Sequence, residues 1–226
     1  MQRAQSCLQA ILFVILLVTA ATAQAQTSVA ASLYGAFNGS TSGSGTVESP
    51  ANAAGGIFEL RTIKNPIIGY EGTYAYNRSN QGLSSGSITC PGTSCTVTTA
   101  AISANRHEIT GDWVISLKLA NLRPFALAGG GILFDVPSGG PVITTTTCFT
   151  MHPLCTQSTT AAATGTSTRG VFVYGAGLDW RVLPHIGLRL QYRGNLYKAT
   201  TIANAFSSTN AFTQTAEPMI GVYFRL

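Results

Sequence analysis

The residues of this chain best suited to chemistry are three histidines and two close pairs of cysteines. Acyl hydrolysis or transfer needs a base, a nucleophile and an orienting acid on one face. His107 is followed directly by Glu108, so a two-residue period turns them to opposite faces. His152 sits within CFTMHPLC, and His185 follows Pro184 in a short link. No triad converges on any of the three, and no catalytic residue is expected. The pairs Cys90/Cys95 in CPGTSC and Cys148/Cys155 in CFTMHPLC lack the C-x2-C spacing of zinc sites. Gly129-Gly130-Gly131 lacks the spacing of a phosphate loop, and no helical pattern follows it. No metal or cofactor is expected.

The cysteines read better as disulfides. Residues 1–25 resemble a secretory signal peptide, with Arg3, the apolar run ILFVILLV and the small-residue site Ala23-Gln24-Ala25. An exported chain with four cysteines after its leader favours pairing. Three pairings are possible, and the local ones, Cys90–Cys95 and Cys148–Cys155, cost least in geometry, since Pro91-Gly92 and Pro153 favour chain reversal.

What would hold such residues in place? Only 9% of the chain is charged, and the mean hydropathy is +0.24. Beyond residue 25 no run is long and apolar enough for a spanning helix. An apolar chain without apolar 20-mers fits a closed membrane barrel, whose strands hide apolarity in alternate positions. The formal charge of +5 is spread without a basic cluster, so nucleic-acid binding is not expected.

Period-two runs cover 29–37, 55–63, 67–77, 106–118, 123–135, 170–182, 185–195 and 218–226. Very short links alternate with long Ser/Thr/Gly-rich stretches at about 38–54, 78–105, 136–169 and 196–217. That alternation predicts an all-β, eight-stranded antiparallel up-and-down transmembrane barrel over 26–226, with tight turns at one end and long loops at the other. A soluble barrel has no reason to keep all its long loops at one end.

Alternation also assigns faces. In HIGLRLQYRGN, Ile186, Leu188, Leu190 and Tyr192 share one face, and Arg189, Gln191, Arg193 and Asn195 the other. An arginine in lipid costs about 2–4 kcal/mol at the midplane, so the arginines face inward. The same parity sends Phe58, Tyr70, Tyr74, Trp113, Phe125, Leu127, Leu133, Phe172 and Trp180 outward. It places Glu59, Arg61, Glu71, Arg106, Glu108, Asp112, Asp179, Arg189, Arg193 and Arg225 in the lumen, five acids against five bases.

MIGVYFRL at the end of the chain resembles the C-terminal assembly signal of bacterial outer-membrane barrels, through Gly221, Phe224 and Leu226. VYGAGLDWRVLPHIGLRLQYRGN is similar to the penultimate hairpin of OmpA-like and opacity-type small barrels. The resemblance implies an outer-membrane protein of a Gram-negative-type envelope, with loops extracellular and both termini periplasmic. It implies contact with outer-membrane lipid and with the barrel-assembly machinery during biogenesis. No peptidoglycan-binding domain is expected after the barrel, and a monomer is expected.

A structural or surface-interaction role with a charge-paired, plugged lumen is the expected function. A narrow pore for ions or small solutes is the alternative, and an outer-membrane lipid-modifying enzyme a weaker one. The loop composition names no extracellular ligand.

Overall fold

The computed structural model describes residues 26–64, 67–86, 94–149, 155–161 and 163–226; residues 1–25, expected to be a signal peptide, and Cys90 lie outside them. The described residues form twelve strands: β1 (Gln26–Asn38), β2 (Thr41–Gly43), β3 (Thr46–Pro50), β4 (Ala53–Ile63), β5 (Ile68–Gly86) and β6 (Ser94–Ser116), then β7 (Leu122–Pro137), β8 (Val142–Phe149), β9 (Cys155–Ala161), β10 (Ser167–Arg181), β11 (Ile186–Lys198) and β12 (Phe212–Arg225). Eight of them, β1, β4, β5, β6, β7, β10, β11 and β12, pair antiparallel in that order. The ring closes where β1 meets β12. Closure leaves no unpaired edge in the wall, which is what a lipid environment demands of a sheet.

The outside of this barrel is what an ordinary soluble protein buries. Leu33 is 71% exposed, Trp113 58%, Ile115 60% and Ile220 58%. The charged side chains Glu59, Arg61, Glu71, Arg189 and Arg193 lie inside with almost no exposure. This inversion is stable only when hydrocarbon surrounds the barrel. Trp180, Trp113 and Tyr70 stand on the outer face toward the short turns, Tyr70 and Trp113 with ring centroids 4.3 Å apart. At the last strand Phe224 and Leu226 are exposed on the outer face. Gly221 lies opposite Ser32 across the closing seam, and any side chain there would run into Ser32.

Two sequence expectations are corrected. The stretches 78–105 and 136–169 are not plain loops. β5 and β6 continue as strands to Gly86 and from Ser94, and β8 and β9 form a hairpin beside them. With the β2–β3 hairpin on β5, the result is a six-stranded sheet ordered β2-β3-β5-β6-β8-β9 that projects beyond the barrel. Runs such as VITTTTCF lack apolar alternation, yet β-branched threonine suits a pleated surface. The β2–β3 turn places Ser44 and Gly45 at φ 50° and 75°, the left-handed pair that matches strand twist in a two-residue hairpin.

The second correction concerns β7. Phe125, Leu127 and Leu133 face inward, at 5%, 5% and 1% exposure, while Ala126, Ala128, Gly130 and Ile132 face out. They join Val114, Val171, Val173 and Tyr197 in one apolar wall of the lumen. Phe125 is held there by charge as well as packing: the Arg61 guanidinium lies 3.8 Å from its ring centroid and that of Arg189 5.4 Å.

Candidate functional site: the charged lumen

Beside the apolar wall, the remaining inward positions of β4, β5, β6, β7, β10, β11 and β12 carry the charges. Because each strand contributes alternate residues, charges stack in tiers along the barrel axis. In the tier nearest the short turns, Arg189 is the hub. Its Nε donates to Asp179 Oδ1 at 2.7 Å, its Nη2 to Asp179 Oδ2 at 3.0 Å, and its Nη1 to Glu59 Oε2 at 3.2 Å and Glu71 Oε2 at 3.3 Å. Arg61 shares two of these acids, with Nε 2.5 Å from Glu71 and Nη1 3.2 Å from Asp179. The Ser32 hydroxyl donates to Glu59 at 3.2 Å.

In the middle tier Arg193 Nη2 donates to Glu108 Oε1 at 2.7 Å and to Thr110 at 2.8 Å. Asn195 holds the other oxygen of Glu108 at 2.9 Å. Asp112 accepts from the Thr110 hydroxyl at 3.0 Å. The tier nearest the loops centres on Asp135, which takes Arg106 Nε at 2.8 Å and also Arg169. Tyr197 packs its ring against both arginines.

Sequence reasoning missed Asp135, Arg169, Glu217 and Glu48, all buried. Arg123 and Asp135 share parity with Phe125, so the rule that turned Arg189 inward also turns β7 the observed way. Arg169 shares parity with Asp179, and Glu217 with Tyr223. Glu48, in the β2–β3 hairpin, had no such signal. Arg225 stands at the short-turn mouth beside Arg61 and Asp179, half-exposed and in no ion pair among the described residues.

The balance of five against five therefore changes. All eight acids of the chain are buried in the interior. The buried bases are five arginines, Arg61, Arg106, Arg169, Arg189 and Arg193. Eight minus five leaves three carboxyl groups, and among the described residues three acids, Glu48, Asp112 and Glu217, have no ion pair. Burial pushes the Glu48 carboxyl up from its ordinary range, and Arg169 and Arg106 nearby partly offset the shift.

At the loop end the mouth is covered. Residues 199–211, between β11 and β12, turn back over the barrel, and Ile202, Ala203 and Phe206 pack on Leu83, Ala100, Ile102 and Ile143 of the projecting sheet. Thr209 meets Thr41 through their hydroxyls at 3.0 Å, and Arg169 donates to Thr200 O at 3.3 Å.

Cys148 and Cys155 form a disulfide that joins β8 to β9. Cys95 is disulfide-bonded and lies in register opposite Cys148. The histidines stay apart from the acids. His107 faces outward, its Nδ1 2.8 Å from the Tyr74 hydroxyl and its ring stacked on Phe134, while Glu108 points into the lumen. His185 lies in the β10–β11 turn beside Phe224, and His152 lies outside the described residues. Among the described residues no group of three His, Cys, Asp or Glu could hold a metal.

An inverted, closed, eight-stranded barrel with a charged interior defines the fold of the small outer-membrane barrels. Neisserial surface protein A is similar to this chain at a TM-score of 0.50 and 12% identity, over 88% of this chain and 97% of that one. Ail, the attachment invasion locus protein of Yersinia pestis, is similar at 0.43 and 13%, over 89% and 97%. OprG from Pseudomonas aeruginosa is similar at 0.43 and 10%, over 90% and 97%. At 12% identity the likeness to Neisserial surface protein A is one of fold alone. No protein-family model matches the chain, and no curated protein matches it in sequence.

Proposed function

We propose that this protein is an outer-membrane barrel whose lumen is a plug and whose work is structural or at the cell surface. The observation that carries this reading is the filling of the interior. Five buried arginines are tied to five carboxylates in three tiers, and residues 199–211 cover the loop-end mouth. An eight-stranded barrel is only wide enough for its own side chains. An ion would have to displace paired charges whose separation costs several kcal/mol.

The outer-membrane location, with loops extracellular and termini periplasmic, rests on the apolar outer face and on the short turns gathered at the end that holds Gln26 and Leu226. The projecting sheet is then the part that meets the surroundings. Its outer face presents Ser42, Val47, Ser84, Thr99, Thr144 and Thr159 in one row across the strands, all but Val47 bearing hydroxyls suited to hydrogen bonding. Lipid-modifying chemistry is not favoured, because His107 and Glu108 stand on opposite sides of the wall.

A narrow pore is the second reading, and one observation favours it. Polar atoms such as Arg193 Nη1, Gln191 Oε1 and Asp112 Oδ1 have no hydrogen-bond partner among the described residues, so water could enter the middle tier. Single-channel recording of the refolded protein in a planar bilayer separates the two. A plug gives little or no current; steady conductance overturns the plug and selects the pore.

A further inference from the structure

With every side-chain carboxylate inside, the charged side chains left on the surface are all basic. They are unevenly spread: Lys64, Lys118, Arg123, Arg181 and Arg225 stand at the short-turn end, and only Arg78 and Lys198 toward the loops. Between the short turns lies a half-open vestibule lined by Lys118, Arg123, Arg181 and Arg225, with Arg61 and Asp179 among its lining residues. Five bases thus share one acid, and that acid is spent. Both oxygens of Asp179 are taken by Arg189, and one of them also by Arg61.

A second observation points to a ligand. Arg61 is 1% exposed, and while its Nε and Nη1 hold Glu71 and Asp179, its Nη2 is buried with no hydrogen-bond partner among the described residues. The walls are equally unspent. Arg123 and Arg225 have no ion pair among the described residues. Arg181 is steadied by Asn121, through its Nη2 to Oδ1 at 2.7 Å and through its backbone at 2.8 Å. Guanidinium forks gathered in excess of the acidic side chains match the planar faces of an oxyanion, which they bind bidentately.

We propose that the short-turn vestibule binds an oxyanion of the phosphate class, with Arg123 and Arg225 as its walls and Arg61 among the residues of its floor. A doubly charged tetrahedral anion uses several donors at once and offsets the mutual repulsion of the bases. The same chemistry is offered by free phosphate or a phosphate ester in solution, and by the phosphodiester of an anionic lipid in the adjoining leaflet.

The test uses the full mature chain refolded in uncharged detergent and titrated with inorganic phosphate at low salt, observed by phosphorus NMR. Its second arm is reconstitution into bilayer discs with a minority of phosphatidylglycerol, with retained lipid read by native mass spectrometry. Saturable phosphate binding that weakens at least about tenfold in Arg123→Gln/Arg225→Gln, and is unchanged in the loop-end control Arg78→Gln/Lys198→Gln, supports a soluble anion. No phosphate binding, but phosphatidylglycerol retained by the wild type and lost from Arg123→Gln/Arg225→Gln, supports the lipid headgroup. If neither anion distinguishes wild type from that variant, or if the control loses as much, the proposal is overturned. Should the double variant not fold, Arg225→Gln alone must weaken binding by about threefold or more.

Discussion

Arg189→Met removes the hub of the lower tier while keeping an unbranched side chain of similar length. Four hydrogen bonds disappear, two to Asp179 and one each to Glu59 and Glu71. The three acids are not stranded equally. Asp179 keeps Arg61 at 3.2 Å, and Glu71 keeps it at 2.5 Å. Glu59 keeps only the Ser32 hydroxyl. Breaking a buried pair by deleting one partner costs about 3–5 kcal/mol, because the remaining charge has lost its compensation. With a urea slope of about 2 kcal/mol per molar, the unfolding midpoint should fall by about 1.5–2.5 M. The assay is urea unfolding in detergent micelles, followed by loss of the fast-migrating unheated band on a gel. Because the cost resides in Glu59, Arg189→Met/Glu59→Gln should be more stable than Arg189→Met alone, a coupling that a double-mutant cycle isolates. A loss below about 1 kcal/mol, or no recovery in the double variant, would refute the view that paired charges hold the lumen shut.

Ala128→Arg should cost about 2–4 kcal/mol by placing a charge in lipid, whereas Leu127→Met, inside the lumen, should cost less than about 1.5 kcal/mol; comparable damage from both would contradict the observed face of β7. On β11, Leu188→Arg should reduce assembly more than Gln191→Arg does, read as the yield of heat-modifiable protein. Cys90→Ser/Cys155→Ser should allow a Cys95–Cys148 disulfide, because these residues are in register across β6 and β8; peptide mapping that finds both thiols free would argue against that strand pairing. Glu48 carries a raised pKa, so the folded state binds its proton more tightly than the unfolded state. Its stabilising contribution is complete below the unfolded value and is lost as pH rises through the folded one. Glu48→Gln should therefore slow hydrogen exchange in the β2–β3 hairpin at neutral pH and make no difference in acid.

Some of this protein is written locally and some is not. The two-residue period, the short links and the inward face of β11 follow from the energy of single side chains, because an arginine in hydrocarbon costs more than any packing gain available there. That rule is decisive where charges mark one face, as in HIGLRLQYRGN. It reads β7 only if Arg123 and Asp135 are counted, since within FALAGGGIL both faces are apolar and packing alone cannot choose. The choice belongs to the tertiary structure, which sets Phe125 against two guanidinium groups supplied by β4 and β11. The Ser/Thr tracts show the same limit, because their strands exist only through the edges that β5 and β6 offer. Which acid meets which arginine is also beyond the sequence. Partners such as Arg189 and Glu59 lie 130 residues apart in the chain and come together only when the ring closes. The excess of buried carboxyl groups over buried arginines, and the unspent bases at the short-turn end, are consequences of that closure.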